Sequence, residues 1–221
     1  MIEVRHHLSD DLLSAYAAGT LAEGWSIAVA SHLALCPSCR ARLAGYEHLG
    51  GRLIEALPAT GNVDAAWDLI KARVGTQNKA DATDVKSTVS PSRAMTLPEP
   101  LRSYVGGDLA DLKWKPLGRG AYHIPIKTAD KETSVRLLRI PAGKPVPEHG
   151  HGGRELTLVL TGSFTDETDT YARGDIEDAD SDLVHQPVAS PDQDCICLAV
   201  TDAPLKFRSW IVRLVQPILG I

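Results

Sequence analysis

Residues 143–162 read GKPVPEHGHGGRELTLVLTG, and this stretch decides the fold of the second half of the chain. A turn signal at Pro141-Ala-Gly143 precedes His149 and His151. On an extended strand, residues i and i+2 face the same way, so the two imidazoles project together. Glu155 then opens the apolar run Leu156-Thr-Leu-Val-Leu160, which has the length and content of a buried strand. A later histidine, His185, joins them. Three imidazoles and one carboxylate form a donor set for zinc, iron, manganese or nickel. His149, His151, Glu155 and His185 are therefore candidate metal ligands, with Glu148 as a competing carboxylate.

Outward from this stretch the strand pattern continues. Ser134–Ile140, Asp194–Val200 and Leu205–Ile211 are strand-like, and Gly162, Arg173-Gly174 and Asp202-Ala-Pro204 mark turns between such runs. Many short strands with regular turns predict an antiparallel β-barrel or jelly roll over residues 100–221. The spacing Gly143-x5-His149-x-His151-x3-Glu155-x6-Gly162 resembles the first motif of the cupins. The second cupin motif is only partly kept. Gly174 and His185 are there, but Asp180 and Asp182 stand where Pro and Gly are usual, and Ala189 replaces the trailing Asn. Cys195 and Cys197 alternate along a strand and share one face. That spacing suits a disulfide poorly; facing inward they are oxidisable groups near the metal, and otherwise ordinary buried thiols, the second reading being preferred.

Residues 1–75 read differently, as a small helical bundle. Ser9 is a candidate N-cap, with Asp10 and Asp11 in the first turn where negative charge suits the helix dipole. Leu12, Leu13, Tyr16 and Ala17 follow helical spacing, and Gly19 ends the segment. A second helix is predicted from about Glu23 to Leu35 with Ile27, Ala30 and Leu33 or Ala34 facing inward. A third starts at Pro37 and carries Leu43, Tyr46 and Leu53, weakened or bent at Gly50-Gly51. A fourth runs from Val63 to Val74 with Ala66, Trp67, Ile70 and Val74 on one face. Residues 76–99 are rich in Ser, Thr, Asp and Lys without apolar periodicity and read as a flexible linker.

His32 and Cys36 are four apart and project from one helical face, and Cys39 follows across a helix start marked by Pro37. Thiolate and imidazole together suit tetrahedral zinc. Three ligands leave one position, which either His6 or His7 can fill from just ahead of the first helix.

Composition narrows the function classes. The net charge is -5 and no stretch concentrates Lys and Arg, which argues against direct DNA binding. No run of apolar residues is long enough for a membrane span. The opening MIEVRHHLSDD lacks the apolar stretch of a secretion signal. Four cysteines in 221 residues are no disulfide framework.

The H-x-x-x-C-x-x-C spacing of His32, Cys36 and Cys39, with an upstream His, resembles the zinc-binding anti-sigma factors, and by that resemblance His7 is the fourth ligand. Joined to a cupin, it resembles the ChrR-type members. The stretches RHHLSDDLLSAYAAGTL, HGHGGRELTLVLTGSFTDETD and DCICLAVTDAPLKF carry that likeness. The resemblance implies a cytoplasmic regulator that binds and inhibits an extracytoplasmic-function (ECF) sigma factor. It implies release under oxidative, singlet-oxygen-like stress, with the cupin needed for the response. Zinc is implied at the first site, and zinc or another divalent transition metal at the second. The main rival is a metal-dependent cupin enzyme, a dioxygenase or isomerase, with an accessory zinc domain. A metal-sensing protein is a third reading.

Overall fold

The computed structural model of the chain describes residues 3–58, 63–77, 95–118, 120–204 and 206–207. Helices come first, then an antiparallel β-fold. Helix α1 spans Asp10–Ala17. Ser9 takes the N-cap position, but its hydroxyl caps no backbone N–H; it accepts a bond from Arg154 at 3.3 Å instead. Asp10 and Asp11 remain in the first turn, facing the helix dipole. Helix α2 spans Glu23–Leu35, α3 Pro37–Glu55 and α4 Val63–Gln77. Helix α3 runs through Gly50-Gly51 without a break. A short helix α5, Glu99–Val105, and a 3-10 turn at Leu109–Asp111 lead into the sheets.

The strands in chain order are β1 Lys115–Gly118, β2 Ala121–Ile126, β3 Ser134–Ile140, β4 His149–Gly150, β5 Glu155–Thr161 and β6 Ser163–Thr165. They continue as β7 Thr170–Ala172, β8 Ile176–Ala179, β9 Val184–His185, β10 Val188–Ala189, β11 Cys195–Thr201 and β12 Lys206–Phe207. One sheet has the order β1-β2-β3-β11-β5-β8, and two short sheets are ordered β10-β6-β7 and β12-β4-β9. Every pairing between these strands is antiparallel. The sheets form a jelly-roll-like sandwich and do not close into a barrel. The expected strand at Leu205–Ile211 is described only as β12; its remaining residues lie outside the described set.

The central strands of the six-stranded sheet are covered on both faces, which accounts for the continuous burial of β5 and β11. Leu156, Leu158, Leu160, Leu198 and Val200 share a core with Leu12, Leu13, Ile27 and Val29 of the helices. Val159 and Cys195 point the other way, into a smaller cluster with Ile140, Phe164, Tyr171 and Ala189. Helix α2 packs on β5 and β11, on α1 and on α5. It approaches β3 so closely that a Cβ on Gly24 would stand 2.1 Å from Thr133 Oγ1 and 2.6 Å from Val135 Cγ2.

The chain divides into two compact units, one from Met1–Glu47 together with Met95–Ile221, the other His48–Ala94. The packing boundary therefore differs from the division at residues 75 and 100 expected from composition. The first two helices have cupin strands for their core partners. Residues 78–94 of the expected linker lie outside the described residues. Residues 76 and 77 belong to α4, and Leu97 is buried, its N–H donating to Asp108 at 2.8 Å. The linker reading is corrected at these ends: a buried side chain and a bonded backbone fix Leu97 in the fold.

Candidate metal centres

The first centre gathers at the α2–α3 junction. His32 lies in the last turn of α2, Cys36 is its C-cap, and Cys39 sits in the first turn of α3. Cys36 ends α2 because its backbone is extended (φ -111°, ψ 103°) and Pro37 follows. His7, just ahead of α1, places Nδ1 3.3 Å from Cys36 Sγ and 3.7 Å from Cys39 Sγ. Donor atoms of His7, His32, Cys36 and Cys39 all lie within 4.8 Å of one another. With Zn–S near 2.3 Å and Zn–N near 2.05 Å, a tetrahedral ion holds sulfur and nitrogen about 3.6 Å apart. The two measured separations bracket that distance.

His32 is fully buried, and neither ring nitrogen has a hydrogen-bond partner. Burial, with the charge of His7 acting the same way, pulls its pKa down to about 4. An imidazole kept neutral and left without a partner is a donor prepared for a cation. Burial pushes the Cys39 thiol up. Both cysteines are free and buried. The donors fit zinc. His6, the alternative from spacing, turns away: its ring lies 4.3 Å from that of Tyr171, with Nε2 3.2 Å from Asp169 and Nδ1 3.6 Å from Asp175.

The second centre lies inside the sandwich. Antiparallel pairing of β4 with β9 sets His149 directly opposite His185. Nε2 of His185 is 3.2 Å from Nε2 of His151 and 3.3 Å from Nε2 of His149. Two imidazoles on one tetrahedral zinc hold their nitrogens about 3.3 Å apart. All three rings are buried, and burial takes His149 and His151 down to about 4. Glu155, also buried, flanks the trio with Oε2 3.7 Å from His151 Nδ1. Its own pKa is raised, chiefly by burial. The carboxylate thus faces the Nδ1 side of His151, away from its converging Nε2, and is not one of the atoms that meet within 4.8 Å.

Two carboxylates missing from the sequence reading back this centre. Asp166 Oδ2 is 2.8 Å and Glu177 Oε1 3.1 Å from His185 Nδ1. Burial of His185 is outweighed by these two groups, which raise its pKa to about 9. Burial brings Glu177 up to about 7. Burial also opposes the charge on Asp166, but hydrogen bonds from Glu177, Thr168 and His185 hold it well below the usual carboxylate range. The negative charge that favours a proton on His185 equally favours a cation at its Nε2. His149 Nδ1 in turn lies 2.8 Å from the Pro147 carbonyl. Imidazoles oriented through Nδ1 in this way are the usual support of a metal site. A cleft with a cavity volume of about 540 Å³, lined by Glu148, Glu167, Val184 and Lys206 among others, reaches His151 from outside.

Cys195 and Cys197 are free and buried on the inner face of β11. The Cys195 thiol and burial push Cys197 up, so it is no ready nucleophile.

Residues 103–204 match the family model of the ChrR cupin-like domain, and residues 9–40 match a zinc-finger family. The chain is 47% identical over 218 residues to anti-sigma-E factor ChrR of Cereibacter sphaeroides, covering 99% of each protein. It also resembles a chain in the crystal structure of Rhodobacter sphaeroides SigE in complex with the anti-sigma ChrR. There the identity is 44%, with 90% of this chain and all of that chain covered, at a TM-score of 0.76.

Proposed function

The chain belongs to the ChrR family of anti-sigma factors, which are regulators and not enzymes, and from that premise we propose that it binds and inhibits an ECF sigma factor. The cupin enzyme reading gives way to this one. The observation that carries it lies in the unit His48–Ala94. Leu53 and Ile54 near the end of α3 are 63% and 70% exposed, and Trp67 and Ile70 on α4 are 57% and 51% exposed. Leu49, Leu57, Leu69 and Val74 are exposed as well. An apolar set of this size exposed on two consecutive helices favours a protein interface. A sigma factor is the occupant that the family supplies.

His7, His32, Cys36 and Cys39 would hold zinc, which, when bound, cross-links the start of the chain to the α2–α3 corner. His149, His151 and His185 would hold zinc or another divalent transition metal, and Glu155 would join them only by turning its carboxylate away from Thr157 and His151 Nδ1. Oxidative stress of the singlet-oxygen kind is the signal to which this reading assigns the cupin. The net charge of -5 supports a protein partner over direct DNA contact. The site of action is the cytoplasm, where RNA polymerase and its sigma factors work. No helix among the described residues is long and apolar enough to cross a membrane.

Co-expression with the cognate ECF sigma factor tests the proposal. The full chain is expected to co-purify with it and to silence its promoter. Cys36→Ala with Cys39→Ala should lose both properties. Retention of full binding by that double variant would sink the zinc scaffold, and no binding by the wild type would sink the function.

A further inference from the structure

The N-terminal arm that carries His7 is held by the cupin. Asp175 lies in the turn between β7 and β8 and is buried. Its Oδ1 accepts the backbone N–H of Arg5 at 2.6 Å and of His6 at 2.9 Å, while its Oδ2 accepts that of Ala172 at 2.9 Å. The N–H of Ile176 donates to the His6 carbonyl at 3.3 Å. Beside them Gly174 takes φ +94°, and a Cβ there would stand 2.7 Å from Val4 Cγ2. The turn is thus shaped to receive residues 4–6, and His7 is the next residue along. A buried carboxylate with three backbone donors is a strong anchor, because charge-assisted bonds are about twice as strong as neutral ones.

We propose that Asp175 is a positioning residue for the zinc centre: by holding the backbone of Arg5 and His6, it sets His7 against Cys36 and Cys39. The fourth donor of the N-terminal site is then delivered by the cupin. His7 needs such help because it is exposed and precedes α1, whereas His32, Cys36 and Cys39 are fixed by buried helix ends. The proposal rests on the zinc reading of these four residues.

The test uses the full-length, zinc-loaded protein and peptide-resolved alkylation rates of Cys36 and Cys39. Asp175→Asn keeps the shape but leaves one oxygen for three N–H donors. It is expected to speed alkylation of Cys36 and Cys39 by about 10- to 100-fold, the usual effect of losing a group that orients a metal ligand. Cys195 and Cys197, buried on β11, should stay protected and so report that the cupin remains folded. His7→Ala should speed the reaction at least as much. The double variant Asp175→Asn/His7→Ala should be no faster than His7→Ala alone, since Asp175 acts through His7. Wild-type rates in Asp175→Asn would overturn the proposal, as would a double variant in which the two effects multiply. If the wild-type thiols react as fast before chelator treatment as after it, the zinc reading itself fails, and the inference with it.

Discussion

Replacing Trp67 by Ala separates binding from stability in one experiment. Trp67 is 57% exposed on α4. A Trp side chain offers up to about 250 Å², so roughly 140 Å² remains to be covered by a partner. At about 25 cal/mol per Å², full coverage contributes about 3.5 kcal/mol. Coverage in an interface is incomplete, and part of the gain offsets ordering of the side chain, which leaves about 2–3 kcal/mol. Since 1.4 kcal/mol is tenfold, Trp67→Ala should weaken sigma-factor binding by about 30- to 150-fold. Loss of an exposed side chain should leave stability within about 0.5 kcal/mol of wild type. Calorimetric titration of the purified sigma factor into the two proteins reads the first quantity, and a urea melt the second. A change in affinity below about threefold with an unchanged melt would refute α4 as the binding face. A large loss of stability would mean that Trp67 is structural and that the exposed face has been misread.

In metal-stripped protein His32 titrates at about 4 in the fold against 6.5 when exposed, so the unfolded chain takes up the proton first. The contribution is full above pH 6.5 and is lost as the pH falls toward 4, by about 3 kcal/mol in all; urea midpoints at pH 7.5 and pH 5 should diverge less in His32→Gln. Gly24→Ala places a methyl group against Thr133 and Val135 and should cost about 1–3 kcal/mol, part of it recovered by Thr133→Ala in a thermal melt. Glu177→Gln replaces a carboxylate oxygen that faces His185 Nδ1 and should weaken metal retention in the cupin by about 10- to 100-fold, read by elemental analysis after dialysis against graded chelator.

The histidine spacing around residue 149 was legible because strand alternation is strict, and the register of β4 on β9 then brought in His185. The helices were legible from caps and periodicity. Helix α2 shows where that reading stops. Of the expected inner face, Ile27 and Leu33 are buried, Ala30 is half-buried and Ala34 is exposed, and Gly24, Ala28, Val29, Ser31 and His32 are buried too. A helix apolar on all sides is buried on all sides, and the segment EGWSIAVASHLAL carries that signal. Periodicity could not say that the second face belongs to β5 and β11, because that contact spans more than a hundred residues. Asp166 and Glu177 were missed for the same reason. Each looks like an ordinary polar residue until strand pairing sets it behind His185. The turn of His6 away from the cysteines likewise involves Asp175, a turn residue remote from it in the chain.

These long-range contacts bear on how one half of the molecule can answer the other. Asp175 holds the arm bearing His7, and Glu177, two residues along, stands behind His185. Between them the Ile176 N–H bonds the His6 carbonyl. Three consecutive residues therefore link the arm just ahead of His7 to a histidine of the second candidate centre. Ile176 and Glu177 pair with Leu158 and Thr157 of β5, and Asp175 precedes them directly in the chain. From the first centre, Cys39 leads directly into α3, whose later turns carry Leu49, Leu53 and Ile54. Under the proposed function, displacement of His185 would reach the arm bearing His7 through β8. Spatial continuity alone does not establish coupling. A coupled route requires that Asp175→Asn and His185→Ala, which weaken different centres, act less than additively on sigma-factor release. Strict additivity would mean that the two centres work independently.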